Sequence, residues 1–122
     1  MSRSPSSNPL APEQRDLLKV LAHTYLQYGL AEKAAVLLHA MHAMDSSDRH
    51  VVKSLAYAYL RSDRPHEALL LLDSLAEIGN HGEDVFLLRS LAYSRTGRRA
   101  DAARSMRCFV GARAGVTESG SR

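Results

Sequence analysis

The chain has one cysteine, Cys108, no tryptophan, two phenylalanines and four prolines among its 122 residues. One thiol rules out an internal disulfide, and no Cys/His spacing of the zinc type exists, so nothing calls for an oxidising compartment. No uncharged apolar run approaches the ~18 residues of a membrane span. The Ser/Pro-rich stretch 1–15 has no apolar centre of the signal-peptide kind. Direct membrane insertion and signal-directed secretion are therefore disfavoured, and the cytoplasm is the expected location. There is also no Gly-rich phosphate loop and no repeated pair of acids. His39 and His42 lie three apart on an expected helix, but no carboxylate or cysteine completes a metal site beside them. Cys108 has no histidine placed to activate it and reads as a small packing residue. No catalytic residue, cofactor or metal is expected, and the chain reads as a binding protein rather than an enzyme.

What is present is a period. Leu21-Ala22-x-x-Tyr25-x-x-x-Gly29-x-x-x-x-Ala34 lies ungapped, 34 residues away, over Leu55-Ala56-x-x-Tyr59-x-x-x-Asp63-x-x-x-x-Ala68. Ser90, Tyr93, Gly97 and Ala102 continue at the same spacing, with Leu38, Leu72 and Met106 downstream. Small residues at Ala22, Ala56 and Ser90, and at Ala34, Ala68 and Ala102, allow helix backbones to come close. The three tyrosines each offer an aromatic body for the seam and a hydroxyl that reaches the turn. Runs such as Ala68-Leu69-Leu70-Leu71-Leu72 are apolar over more than one face, which suits helices held between two neighbours. A competing register exists, because Ser54-Leu55-Ala56-Tyr57 recurs as Ser90-Leu91-Ala92-Tyr93 at a spacing of 36. The 34-residue register is preferred because it keeps Gly97 and Ala102 in phase, and it puts Arg89 where Leu21 and Leu55 stand in the other copies.

The spacing predicts six helices, near 12–28, 31–44, 48–62, 65–78, 83–96 and 99–112. Pro12 and Pro65 sit at first helical turns, Asn80 stands in capping position before Glu83, and Gly29, Asp63 and Gly97 make the turns. Residues 1–11 and 113–122 read as disordered tails flanking a repeat domain at 12–112.

This pattern resembles the tetratricopeptide (TPR) repeat, and the resemblance implies an all-α fold of three tandem helix-turn-helix repeats forming a short superhelical solenoid. It also implies a groove lined by the first helix of each pair. Carried over residue by residue, the partner-binding positions are Lys19, His23 and Leu26, then Lys53, Tyr57, Leu60 and Arg61, then Leu87, Leu91 and Arg95. Leu26, Tyr57, Leu60, Leu87 and Leu91 would hold the apolar side of a helical segment, with Lys19, Lys53 and Arg61 fixing its register through acids. No capping helix follows the third repeat in the sequence pattern. Met106, Phe109 and Val110 therefore form a possible second interface.

Charge is uneven. Between Arg89 and Arg113 lie seven arginines and one acid, Asp101. Arg98, Asp101 and Arg104 have the spacing of helical ion pairs, which makes a solvated face the first reading. The groove offers a single aromatic, Tyr57, so the base-stacking surface that RNA-binding repeats need is lacking and no nucleic-acid partner is expected.

Within the TPR proteins, the chain resembles the YscY (SctY) group of small chaperones of bacterial type III secretion. The resemblance spans roughly Leu17 to Phe109. It is carried by the run from Leu21 through Tyr25-Leu26-Gln27-Tyr28-Gly29 to Ala34, and by Phe86-Leu87-Leu88-Arg89-Ser90 with Gly97-Arg98 behind. It implies a cytoplasmic protein, peripheral at the secretion apparatus, that stabilises a small secreted partner of the YscX type. The pair would then engage the cytosolic domain of the export gate. The alternative is a self-associating TPR scaffold in which the groove is idle.

Overall fold

Proline opens two of the helices. Pro12 and Pro65 each occupy a first helical position, where the missing N–H leaves no bond unmade. The computed structural model describes residues 11–77 and 82–120, with side chains to 114. Six α-helices make up the regular structure of those residues: α1 (Pro12–Gln27), α2 (Ala31–Met44), α3 (Arg49–Arg61), α4 (Pro65–Glu77), α5 (Glu83–Arg95) and α6 (Arg99–Gly120). The fold is all-α, and among the described residues no helix is long and apolar enough to cross a membrane.

The turns follow from residues that tolerate a left-handed backbone. Gly29, Asp63 and Gly97, spaced by 34, have φ of 75°, 65° and 81°. At the end of α1 the Leu30 N–H donates to the Tyr25 carbonyl (2.8 Å) and the Gly29 N–H to Leu26 (3.2 Å). At the end of α5 the Arg98 N–H donates to Tyr93 (2.9 Å) and the Gly97 N–H to Ser94 (3.2 Å). Both are the paired bonds of a Schellman stop. The two stops lie 68 residues apart, twice the 34-residue spacing. The third helix starts on Asp48, whose carboxylate accepts the backbone N–H groups of His50 (3.1 Å) and Val51 (3.3 Å). The cap expected from Asn80, and the 1–10 part of the N-terminal tail, lie outside the described residues. Gly82 precedes α5 without a side-chain cap.

The chain divides into two compact units, Met1–Ser62 and Asp63–Arg122. In the first, α2 packs against both α1 and α3. Its core joins Leu38 and Met41 to Val51, Leu55 and Ala56, all buried. In the second, α5 packs against both α4 and α6, and its buried side chains include Leu72, Leu75, Val85 and Tyr93. Ala22, Ala34, Ala56 and Ala68 are buried at the positions where the sequence calls for small residues. Ser90 is buried at the matching place on α5, and its hydroxyl donates to the Ala102 carbonyl on α6 (3.1 Å).

Two expectations are corrected. The tail expected from 113 is helical to Gly120. Ala112, Arg113 and Ala114 are helix-compatible, and Arg113 is held by Glu83 (3.0 Å) while lying 5.8 Å from the centre of the Phe109 ring. The Tyr93 hydroxyl does not reach the turn but accepts from Arg89 Nη2 one helical turn back (3.2 Å).

An L-residue held at positive φ is strained by roughly 1–2 kcal/mol, less for Asp than for most. Asp63→Gly should therefore raise the stability of the chain by about 0.5–1 kcal/mol in urea unfolding followed by circular dichroism. A midpoint that stays put or falls would show that the Asp63 side chain itself stabilises the turn.

Candidate functional site

Helical spacing puts Lys19, His23 and Leu26 on one side of α1, and His50 and Ser54 on one side of α3. In the first unit these rows meet. Lys19, Ala22, His23 and Leu26 from α1, Leu38 from α2, and His50 and Ser54 from α3 line a cleft of about 70 Å³. Its volume is well above the ~10–15 Å³ a single water needs. Buried Ala22 and Leu38 form its floor, and His23 and His50 are exposed at its rim. The α3 row runs on through Tyr57, which is exposed, to Arg61, whose Nη1 donates to the Tyr57 hydroxyl (2.9 Å). An apolar floor beneath two imidazoles suits a branched aliphatic side chain presented next to polar neighbours.

One residue at the edge of this cleft has another task. Lys19 Nζ lies 3.0 Å from Asp48 Oδ2, and Arg15 Nη1 lies 3.0 Å from Asp45 Oδ2 and 3.9 Å from Asp48 Oδ2. These pairs clamp α1 to the segment that leads into α3. Partial burial pushes the Asp48 carboxyl up, but the Lys19 bond, the Val51 N–H and the charges of Lys19 and Arg15 outweigh it. The carboxyl ends below its ordinary value of 3.8. Asp45 is also lowered, chiefly by the Ser47 hydroxyl and backbone N–H, against some desolvation and with help from Arg15. Lys19, expected to read acids on a partner, thus spends its charge within the chain. Lys53 and Arg95 are each already engaged as well.

Leu60 requires a second correction. It is 3% exposed and cannot receive a partner. Its position one residue before the polar end of α3 says nothing of that, because the neighbouring side chains decide it. In the first unit His23, Leu26 and Tyr57 remain accessible in whole or part. On α5 of the second unit Leu87 is half-buried, and Leu91 and Arg95 are exposed. The expected second interface also divides: Met106 and Val110 are exposed, whereas Phe109 is half-buried beside Arg113.

The second unit contains a cavity that sequence reasoning did not find. Phe86, Arg89 and Tyr93 of α5 and Asp101, Arg104, Ser105 and Cys108 of α6 line about 90 Å³. Asp101 sits between Arg98 (2.9 Å) and Arg104 (3.2 Å), and the Arg98 guanidinium lies 4.6 Å from the centre of the Tyr93 ring. Arg89 approaches Asp73 to 3.3 Å in charge contact, without the alignment of a hydrogen bond. The Arg-x-x-Asp-x-x-Arg spacing was the available signal. The cavity itself depends on how α5 crosses α6. Cys108 is exposed at its edge and is not the packing residue the sequence suggested. Among the described residues no group of three or more His, Cys, Asp or Glu could hold a metal ion.

Asp48 both caps α3 and holds Lys19, so two substitutions separate the roles. Asp48→Ala should cost about 1–2 kcal/mol at neutral pH, and Asp48→Asn less, because Asn still caps. A carboxyl depressed in the folded state stabilises above its unfolded value and loses that contribution as pH falls through the folded one. The stability gap between wild type and Asp48→Asn should therefore close as pH drops from 5 to below 3.8 in urea titrations. A gap of constant size would show that the ion pair contributes nothing.

No protein-family model matches the chain, and no curated protein matches it.

Proposed function

We propose that this chain is a small TPR adaptor of the YscY type. It binds and stabilises a small secreted partner of the YscX type in the cytoplasm and presents it to the cytosolic domain of the export gate. The observation that carries the reading is the cleft of the first unit, with Ala22 and Leu38 beneath His23 and His50 and with Leu26 and Tyr57 in line beside it. It is sized and lined for one aliphatic anchor of an amphipathic helix. The 34-residue recurrence of left-handed turns at Gly29, Asp63 and Gly97 supports the TPR arrangement.

In this reading the partner is disordered alone and orders on the adaptor, which protects it and keeps it exportable. Within the second unit, Leu91 and the half-buried Leu87 on α5 offer the partner a separate apolar contact. With Lys19 held by Asp48, register is read by the rim histidines, Tyr57 and Arg61 instead of by a row of lysines. The exposed arginines of α6, Arg99 and Arg107 among them, serve the second, acidic contact with the gate. The protein acts by binding and carries out no catalysis.

The test is co-expression of a tagged chain with a YscX-type protein, followed by affinity capture. Tyr57→Ala and Leu91→Asp, both at exposed positions, should each weaken capture by roughly tenfold, equivalent to about 1–2 kcal/mol, with helical content unchanged. Capture that is undiminished in both variants, or a YscX-type protein that never co-purifies, would overturn the assignment.

A further inference from the structure

Apolar stripes that are buried on α2, α3 and α4 lie in the open on α1 and α6. On α3, which packs against α2, Val51, Leu55 and Ala58 are 1%, 1% and 0% exposed. Thirty-four residues earlier α1 has Leu17, Leu21 and Thr24 in the same places, followed one turn on by Tyr28. Leu17 is 68% exposed, Leu21 39% and Tyr28 76%. The mirror situation holds on the second helix of each pair. Ala35 and Leu38 on α2, and Leu69 and Leu72 on α4, are buried. Their counterparts on α6, Ala103 and Met106, are exposed, and Val110 one turn further is 57% exposed. Thus α6 carries the face that α2 and α4 bury, and α1 carries the face that α3 buries.

The charges around the two open stripes are opposite. Glu13 lies one turn before Leu17 on the same side of α1, and Asp16 flanks the stripe near Val20; both are exposed. Arg107 lies between Ala103 and Val110 on the outer side of α6, and Arg99 one turn before Ala103. Both are exposed, and neither has an ion pair among those of the described residues. The four-residue link from α2 to α3 makes those helices antiparallel. A packing of the same sense runs α1 antiparallel to α6 and sets its first half, with the two acids, beyond the middle of α6, on the side of Arg107 away from Arg99.

We propose that the outer face of α6 in one copy seats on the outer face of α1 in the next, so that copies of this chain stack head to tail and repeat at each junction the packing seen between α2 and α3. Such a contact is heterologous. It leaves one face of each kind unsatisfied at the ends of the stack, so growth continues with concentration unless the stack closes into a ring. It uses neither the cleft of the first unit nor Leu91, so its failure is distinguishable from failure of partner capture; it does share Arg107 with the proposed gate contact.

The full chain is examined by sedimentation velocity under reducing conditions over a hundredfold concentration range. The mass-average should rise beyond that of a dimer at low salt and fall back as added salt screens the Arg107 contact. Leu17→Glu and Val110→Glu each remove one face and should each be monomeric on their own, with association at least about tenfold weaker. Mixed in equal amounts they should form a 1:1 dimer and nothing larger, because each retains the face the other lacks. A wild type that is monomeric throughout would overturn the proposal. So would a Leu17→Glu variant that still self-associates, since that indicates a like-with-like contact, or a mixture that stays monomeric. Both substitutions fall at exposed sites. Should either reduce helical content, Val20→Glu and Met106→Glu make the same test on the same two faces.

Discussion

Two helices joined by a short turn can share a core only if their backbones come close, and in this chain the close approach rests on alanine. Ala34, Ala56, Ala68 and Ala92 have no exposed surface at all, and they lie where helix meets helix in their units. Interaxial distances of 8–10 Å leave no room there for a branched side chain, and a larger residue would push the pair apart. Once the alanines fix the approach, the leucines beside them have little choice of rotamer. Leu38, Leu55 and Leu72 are enclosed because the backbones around them are near. Ser90 shows the same constraint met by a polar residue. It fits because it is small, and its hydroxyl is satisfied by the Ala102 carbonyl.

With the core made from aliphatic residues, charge is left to two other tasks. Asp45 and Asp48 anchor Arg15 and Lys19, tying the first helix to the entry of the third. In the second unit Glu83 on α5 holds Arg113 on α6, whereas Asp101 pairs locally with Arg98 and Arg104 at the start of α6. Half-exposed pairs of this kind contribute little each, and their value lies in orientation: they decide which way a long side chain leans. The net result is that a sequence rich in arginine displays fewer uncommitted cations than a count of residues suggests.

Much of this was legible in the sequence. Pro12, Pro65, Gly29 and Gly97 mark helix ends through their own backbone preferences, which need no tertiary information, and the helices begin and end within a residue or two of the places those signals give. Asp63 was readable as a substitute for glycine only because the period placed it there, and its positive φ follows. The surface was less legible. Leu26 and Leu60 stand at corresponding groove positions in the repeat pattern, yet one is partly accessible and the other buried; the difference depends on which neighbours come near, and a single chain does not encode that locally. Lys19 is a surface cation by pattern, and its engagement depends on Asp48 arriving from the far side of a loop. The extension of α6 past 112 was masked by its glycines, whose low helix propensity is offset where Arg113 reaches Glu83.

The exposure of Cys108 sets a limit on covalent assembly. Each chain brings one accessible thiol, and a thiol can take part in one disulfide. Air oxidation can therefore couple the chains in twos and then stops, leaving a product with no further sulfur to react and a mass fixed at double that of the starting polypeptide.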